Sequence, residues 1–374
     1  MLDGKICNLM KEPINKVLNT KYMIQQQILS LADKYQERTE KLAKSYHILS
    51  EIKEIDVGTT PKDLVWKDGK ISLFRYKRST PATIKTPLLI CYALVNKQDM
   101  MDLQPDRSVI RKFLDLGLDV YIIDWGYVTR ADRYTSMDDY INGYLNGCVE
   151  YIRRTHQIEK INLLGVCQGG TFSVIYSAIH PEKIKNLVVM VAPIDFSNKE
   201  GLLFQWSTYL NVDEIIENNG GIMPGELLNV GFDMLKPMSK LRKYTSVVDM
   251  MDDEDKLMNF LRMEKWVANS PDQAGECFKQ FIKDLYQENK LIKNELVVGN
   301  HKVNMKNITM PILNIYAEAD HLVPPPCSIP LDKFVASKDI QTYKFPGGHI
   351  GVFVGARSQK ELAPTIVNWL KERD

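Results

Sequence analysis

Apolar runs of strand length alternate with segments of helical period over residues 87–195. The spacing predicts strands at 87–92, 118–123, 161–164 and 184–191, with helices over 106–116, 136–155 and from after Gly169 to Ile179 between them. Such alternation predicts α/β architecture with a mostly parallel sheet and helices on both faces. Upstream, residues 64–76 read as two strands joined at Lys67-Asp68-Gly69-Lys70, a two-residue hairpin. Gly117 closes the 106–116 helix, and Ser136 with Asp139 forms a capping box at the start of the next. The rhythm fails over 196–307, which is richer in Met and charge and helical in period. It therefore reads as a cap inserted over the carboxyl edge of the sheet. Strands return at 311–316 and 340–345, and a helix over 358–371 closes the chain. The organisation predicted is a helical arm at 1–57, core at 58–195, cap at 196–307 and core again at 308–374. In the arm, Ile28, Tyr35, Leu42 and Leu49 recur every seven residues, with Ile24, Leu31 and Tyr46 on the same face. Arg38 and Ser45 interrupt the second seam, which argues against a long coiled coil. That face suits either packing on its own domain or docking of a partner helix.

Composition narrows the classes. The 374 residues are 44% hydrophobic, ordinary for a globular protein, and a formal charge of +1 creates no global field for nucleic acid. Six cysteines are scattered without paired spacing, so neither a disulfide scaffold nor a zinc site is expected, and a reducing cytoplasm is. No apolar run reaches transmembrane length.

The chemistry centres on Gly165-Val166-Cys167-Gln168-Gly169-Gly170, between a buried strand and an apolar helix. This is the context of a nucleophile elbow, with Cys in place of Ser. Glycines at 165 and 169 remove side chains that would collide in so tight a turn. A thiol with its ordinary pKa of about 8.5 is mostly protonated at neutral pH and needs a base. In an α/β-hydrolase the acid and then the histidine follow the nucleophile, on loops after later strands. Asp320, after strand 311–316, and His349, in Pro346-Gly347-Gly348-His349 after strand 340–345, meet that order. Glu318 and His321 are the rival acid and base; His180 reads as a helix terminus, and Asp124 comes too early in the chain. The oxyanion donors expected are the backbone N–H of Gln168 and one from the loop Ala93-Leu94-Val95-Asn96-Lys97, taken as Val95. By itself this set implies acyl transfer through a thioester and leaves open whether water or a hydroxyl accepts the acyl group. A Cys-dependent hydrolase of the dienelactone-hydrolase type and a silent partner-binding scaffold are the alternatives.

The chain resembles the polyhydroxyalkanoate synthases, most closely the class III catalytic subunit, with class IV near. The elbow carries the resemblance, together with Tyr92-Ala93-Leu94-Val95-Asn96, Asp102-Leu103-Gln104-Pro105-Asp106-Arg107-Ser108, Asp124-Trp125-Gly126-Tyr127, Met263-Glu264-Lys265-Trp266, Ser270-Pro271-Asp272-Gln273-Ala274-Gly275-Glu276 and Gly347-Gly348-His349-Ile350-Gly351, spread over 58–374. It implies an α/β-hydrolase fold and polymerisation of a short-chain (R)-3-hydroxyacyl-CoA, typically 3-hydroxybutyryl-CoA, with release of CoA. Cys167 would carry the growing chain. His349 would deprotonate the thiol and then protonate CoA. Asp320 would orient His349 or activate the 3-hydroxyl. The resemblance further implies a second small subunit, homo-oligomerisation, a cytoplasmic polymer granule as the place of work, and no cofactor or metal. Lys97 and Arg130 are candidates for contact with CoA, and Trp266 reads as a core residue of the cap.

Overall fold

The computed structural model describes residues 26, 29, 36, 39, 54–198, 201–236, 238 and 253–374. Two units make up the chain, and the larger, Asp56–Lys236 with Arg262–Asp374, contains everything described next. The seam positions Ile28, Tyr35, Leu42 and Leu49 lie outside the described residues.

An eight-stranded sheet forms the frame. Its strands in chain order are β1 (Lys62–Asp68), β2 (Ile71–Tyr76), β3 (Leu88–Cys91), β4 (Val120–Asp124), β5 (Ile161–Val166), β6 (Ile184–Met190), β7 (Ile312–Ala317) and β8 (Ile340–Phe345). In space they run β1-β2-β4-β3-β5-β6-β7-β8. From β4 to β8 every pairing is parallel, while the β1–β2 hairpin adds to β4 antiparallel. The hairpin turns at Gly69, whose φ of 55° suits a residue without Cβ.

β3 and β5 are buried along their whole length, which is why they read as unbroken apolar runs. Alternate residues serve opposite faces. Leu89, Cys91 and Leu163 pack with Val149, Ile152 and Phe172 from the helices Asn146–His156 and Gln168–Ile179. Leu88, Ile90 and Leu164 pack with Ile110, Phe113, Ile366 and Leu370 from Val109–Asp115 and Ala363–Lys371.

The capping box forms as expected: Ser136 N donates to Asp139 Oδ2 at 2.7 Å, and Asp139 N to Ser136 Oγ at 3.1 Å. The helix after it opens with wide π-type turns over Asp139–Leu145. Another expectation needs correction. The helix assigned to 106–116 covers only Val109–Asp115, because Asp102–Gln104 and Arg107–Ser108 form a small ribbon instead. The buried Asp102 carboxylate accepts from Thr60 N at 2.8 Å and from Ser108 Oγ at 2.5 Å, and Ser108 Oγ in turn caps the helix at Arg111 N, 3.0 Å away. Between β6 and β7 the described residues of this unit are mostly helical, with the ribbon Ile222–Met223 against Gln273–Ala274 and a hairpin of Val297–Val298 with His301–Lys302.

Candidate active site

β5 ends at Val166 and the next helix begins at Gln168, so Cys167 alone makes the turn. Its backbone sits at φ 53° and ψ −125°. A residue with a Cβ enters this region at a cost on the order of 1–3 kcal/mol, which the surroundings must offset. Cys167 N donates to Met190 O of β6 at 3.0 Å, tying the turn to the neighbouring strand. A Cβ on Gly165 would stand 2.4 Å from Ser173 Oγ, one on Gly169 2.3 Å from Cys91 O, and one on Gly170 2.4 Å from Ala192 Cβ. Hydrogen alone fits at these three positions. The backbone thereby lifts the Cys167 thiol off the carboxyl edge of β5.

Asp320 and His349 arrive on the loops after β7 and β8, at the same edge of the sheet. Asp320 Oδ2 lies 2.6 Å from His349 Nδ1, and Asp320 Oδ1 accepts the N–H groups of Leu322 and Val323 at 2.9 Å each. Both carboxylate oxygens are thus engaged, and the Asp320 side chain is wholly shut off from solvent. A charge on Cys167 is felt at His349, which faces the elbow. Burial works against a charged imidazole here. The Asp320 carboxylate and a thiolate at Cys167 outweigh it together, and they hold the His349 pKa above its ordinary value. Cys167 at the elbow and the hydrogen-bonded pair His349–Asp320 therefore stand as one set at the carboxyl edge of the sheet.

The rivals stand apart from it. Glu318 is exposed and pairs with Lys344 at 3.0 Å, and His321 is exposed. Asp124 holds Lys97 Nζ at 2.6 Å, and His180 meets Asn142 Oδ1 at 2.9 Å. Lys97, a candidate for CoA, is nearly buried and committed to Asp124, whereas Arg130 is exposed. Among the described cysteines Cys167 is the partly open one, and the others are buried. Burial pushes the Cys91 thiol up to about 12 and also raises those of Cys148 and Cys277, so these are poor nucleophiles.

As the first residue of its helix, Gln168 carries an N–H that the helix itself leaves unpaired. Its side-chain Oε1 accepts from Leu94 N at 3.2 Å and so ties the loop after β3 to the elbow. Val95 is the next residue of that loop.

Sequence reasoning missed an aromatic cluster. Phe196, Phe204, Phe281 and Tyr286 stack with centroids 4.9 Å apart for Phe196–Tyr286 and 5.0 Å for Phe204–Tyr286. Phe281 meets Phe172 of the elbow helix edge-on, with centroids 5.9 Å apart, and Cys167 packs against the same core, which places the cluster beside the elbow. Its members come from both ends of the 196–307 block, and no local periodicity joins them. Among the described residues no cluster of His, Cys, Asp and Glu is arranged for a metal ion, and no helix is long and apolar enough to cross a membrane.

The model of the alpha/beta hydrolase fold family matches residues 86–356, and that of the poly-beta-hydroxybutyrate polymerase (PhaC) N-terminus matches 12–113. The chain is 50% identical over 336 residues to the poly(3-hydroxyalkanoate) polymerase subunit PhaC of Allochromatium vinosum, spanning 89% of this chain and 94% of that one. The chain belongs to the poly(3-hydroxyalkanoate) polymerase family. A second polymerase subunit, from Thiocystis violacea, is 48% identical over 92% of this chain and 97% of its own length. The polymerase is thus an acyltransferase built on a hydrolase frame. That frame recurs in the crystal structure of a candidate lipase from Sulfolobus solfataricus, with a TM-score of 0.56 over 84% of this chain and 93% of the other. At 16% identity this likeness concerns the fold alone.

Proposed function

We propose that the chain polymerises a short-chain (R)-3-hydroxyacyl-CoA, 3-hydroxybutyryl-CoA above all, through a thioester on Cys167. The strained elbow at Cys167, with the hydrogen-bonded pair His349–Asp320 at the same edge of the sheet, carries this reading. His349 takes the thiol proton, and the Cys167 thiolate attacks the thioester carbonyl. The oxyanion formed is stabilised by the N–H groups of Gln168 and Val95. The carbon–sulfur bond to CoA then breaks, and His349 returns the proton to the departing thiolate, so CoA leaves as a thiol. In the elongation step the 3-hydroxyl of one acyl unit attacks the Cys167-bound carbonyl of another, and His349 removes the hydroxyl proton. An ester bond forms, and the Cys167 sulfur is released for the next unit.

Asp320 acts through His349 in this scheme. Its two oxygens are occupied by the imidazole and by two backbone N–H groups, which favours ring orientation over direct contact with the 3-hydroxyl. The rings of Phe196, Phe204, Phe281 and Tyr286 beside Cys167 support a hydroxyl acceptor over water, since an apolar wall lowers the local water concentration. The 196–307 block is read as the cap that supplies this wall. A second small subunit, self-association and work at a cytoplasmic polymer granule belong to the same reading and rest on the resemblance.

Butyryl-CoA, which lacks the 3-hydroxyl, tests the covalent step. Intact-protein and peptide mass spectrometry should find one butyryl group on Cys167, accumulating because nothing is present to elongate it. Butyryl label on another residue, or none at all, would contradict the reading.

A further inference from the structure

The loop between β3 and the turn at Gln98–Met101 supplies Val95, and it is held from two directions. Groups at the edge of the sheet hold its first half: Trp125 Nε1 donates to Tyr92 O at 2.9 Å, and Gln168 Oε1 accepts from Leu94 N at 3.2 Å. Its second half is held from the block between β6 and β7. Trp266 Nε1 donates to Lys97 O at 2.7 Å, and Ser270 Oγ sits against the side-chain amide of Asn96. Ser270 is itself fixed, with its Oγ 2.9 Å from Val267 O and 3.1 Å from Asn229 Oδ1, and Asn229 Nδ2 donates to Val267 O at 3.0 Å. Trp266 and Lys97 are both buried, so water does not compete for their bond.

The held residues are the two that follow Val95. Asn96 adopts φ 58°, a left-handed conformation that asparagine tolerates but that needs external support. The Val95 N–H belongs to the peptide joining Leu94 to Val95, so the hold on Asn96 and Lys97 reaches it through the backbone torsions of Val95, with Leu94 fixed on the other side by Gln168. An oxyanion donor displaced by a fraction of an ångström loses much of its effect, because stabilisation depends on a fixed, preorganised direction. Neither Trp266 nor Ser270 does chemistry in the mechanism above.

We propose that Ser270 and Trp266 are positioning residues for acyl transfer, clamping Asn96 and Lys97 so that the Val95 N–H faces the oxyanion formed at Cys167. The proposal rests on the thioester reading and extends it, since it makes the 196–307 block part of the oxyanion hole.

Two reactions of the same thiol test it. Acylation of Cys167 by butyryl-CoA passes through an oxyanion. Alkylation by iodoacetamide is a displacement at saturated carbon and does not. Single-turnover rates of both reactions would be measured for the wild-type chain, Ser270→Ala, Ser270→Thr and Trp266→Phe. In Ser270→Ala and Trp266→Phe, acylation at saturating butyryl-CoA should slow by about 10-fold or more, short of the roughly 10²–10³-fold lost when an oxyanion donor is removed outright. Alkylation should keep its wild-type rate, and Ser270→Thr, which retains the hydroxyl, should recover most of the acylation. Loss of both reactions together would show that the contacts only support the fold and would overturn the proposal. Unchanged acylation in both variants beside normal acylation of the wild type would overturn the clamp alone. A wild-type chain alkylated at Cys167 yet never acylated would overturn the thioester reading and the clamp with it.

Discussion

Asp320 holds His349 by a 2.6 Å contact through one carboxylate oxygen and is itself held by Leu322 and Val323 through the other. The carboxylate is thereby locked in direction and hidden from substrate. Asp320→Asn should therefore slow acylation of Cys167 and elongation by the same factor, roughly 10²–10⁴. Stopped-flow CoA release and polymer growth, measured side by side, check this. Elongation falling far more than acylation would mean that Asp320 touches the 3-hydroxyl after all.

The raised pKa of His349 has a stability consequence with a definite sign. A histidine whose folded pKa exceeds its unfolded value of about 6.5 binds protons more tightly in the native state. Its contribution is complete below the unfolded pKa and fades as pH rises through the folded one. Urea unfolding should show a larger stability difference between wild type and His349→Gln near pH 6 than near pH 10. A difference that grows with pH would reverse the assignment.

Among the described cysteines, burial sets Cys167 apart from the rest. Cys167→Ala should abolish CoA release. Cys148→Ala and Cys327→Ala should retain most of it, with a small loss of stability from the cavity each leaves. Acyl label trapped on either of these residues in the wild type would contradict this.

Glycines offer a matched pair of tests. A Cβ at Gly169 would press to 2.3 Å from Cys91 O and 2.5 Å from Tyr92 O, whereas one at Gly143 would meet nothing within 4 Å. Gly169→Ala should push the oxyanion loop away, losing most of the activity along with stability. Gly143→Ala should be neutral or stabilising by up to about 1 kcal/mol. Equal unfolding midpoints for the two variants would argue against the close approach.

Features set by local chemistry were legible in the sequence. The elbow could be read because a strained turn needs glycine within two residues of Cys167, and the order of Cys167, Asp320 and His349 follows from which strands precede them. The hairpin at Gly69 and the capping box of Ser136 with Asp139 are equally local. Contacts between distant segments were not legible. The ribbon that shortens the Val109–Asp115 helix depends on Thr60 reaching Asp102, 42 residues away. The hold of Trp266 and Ser270 on the oxyanion loop spans 169 and 174 residues. Lys97 is a candidate for CoA by sequence, and its pairing with Asp124, 27 residues on, belongs to the fold. The heptad face of the arm lies outside the described residues.

In the proposed mechanism a hydroxyl, and not water, accepts the acyl group from Cys167. The most direct test of this step is a mass balance with (R)-3-hydroxybutyryl-CoA as the sole substrate. CoA release would be followed while the product is separated into ester-linked polymer and free 3-hydroxybutyrate. Nearly every CoA released should be matched by one unit in polymer, and Cys167→Ala should release none. CoA release matched by free 3-hydroxybutyrate would make the protein a thioesterase and rule out a hydroxyl acceptor.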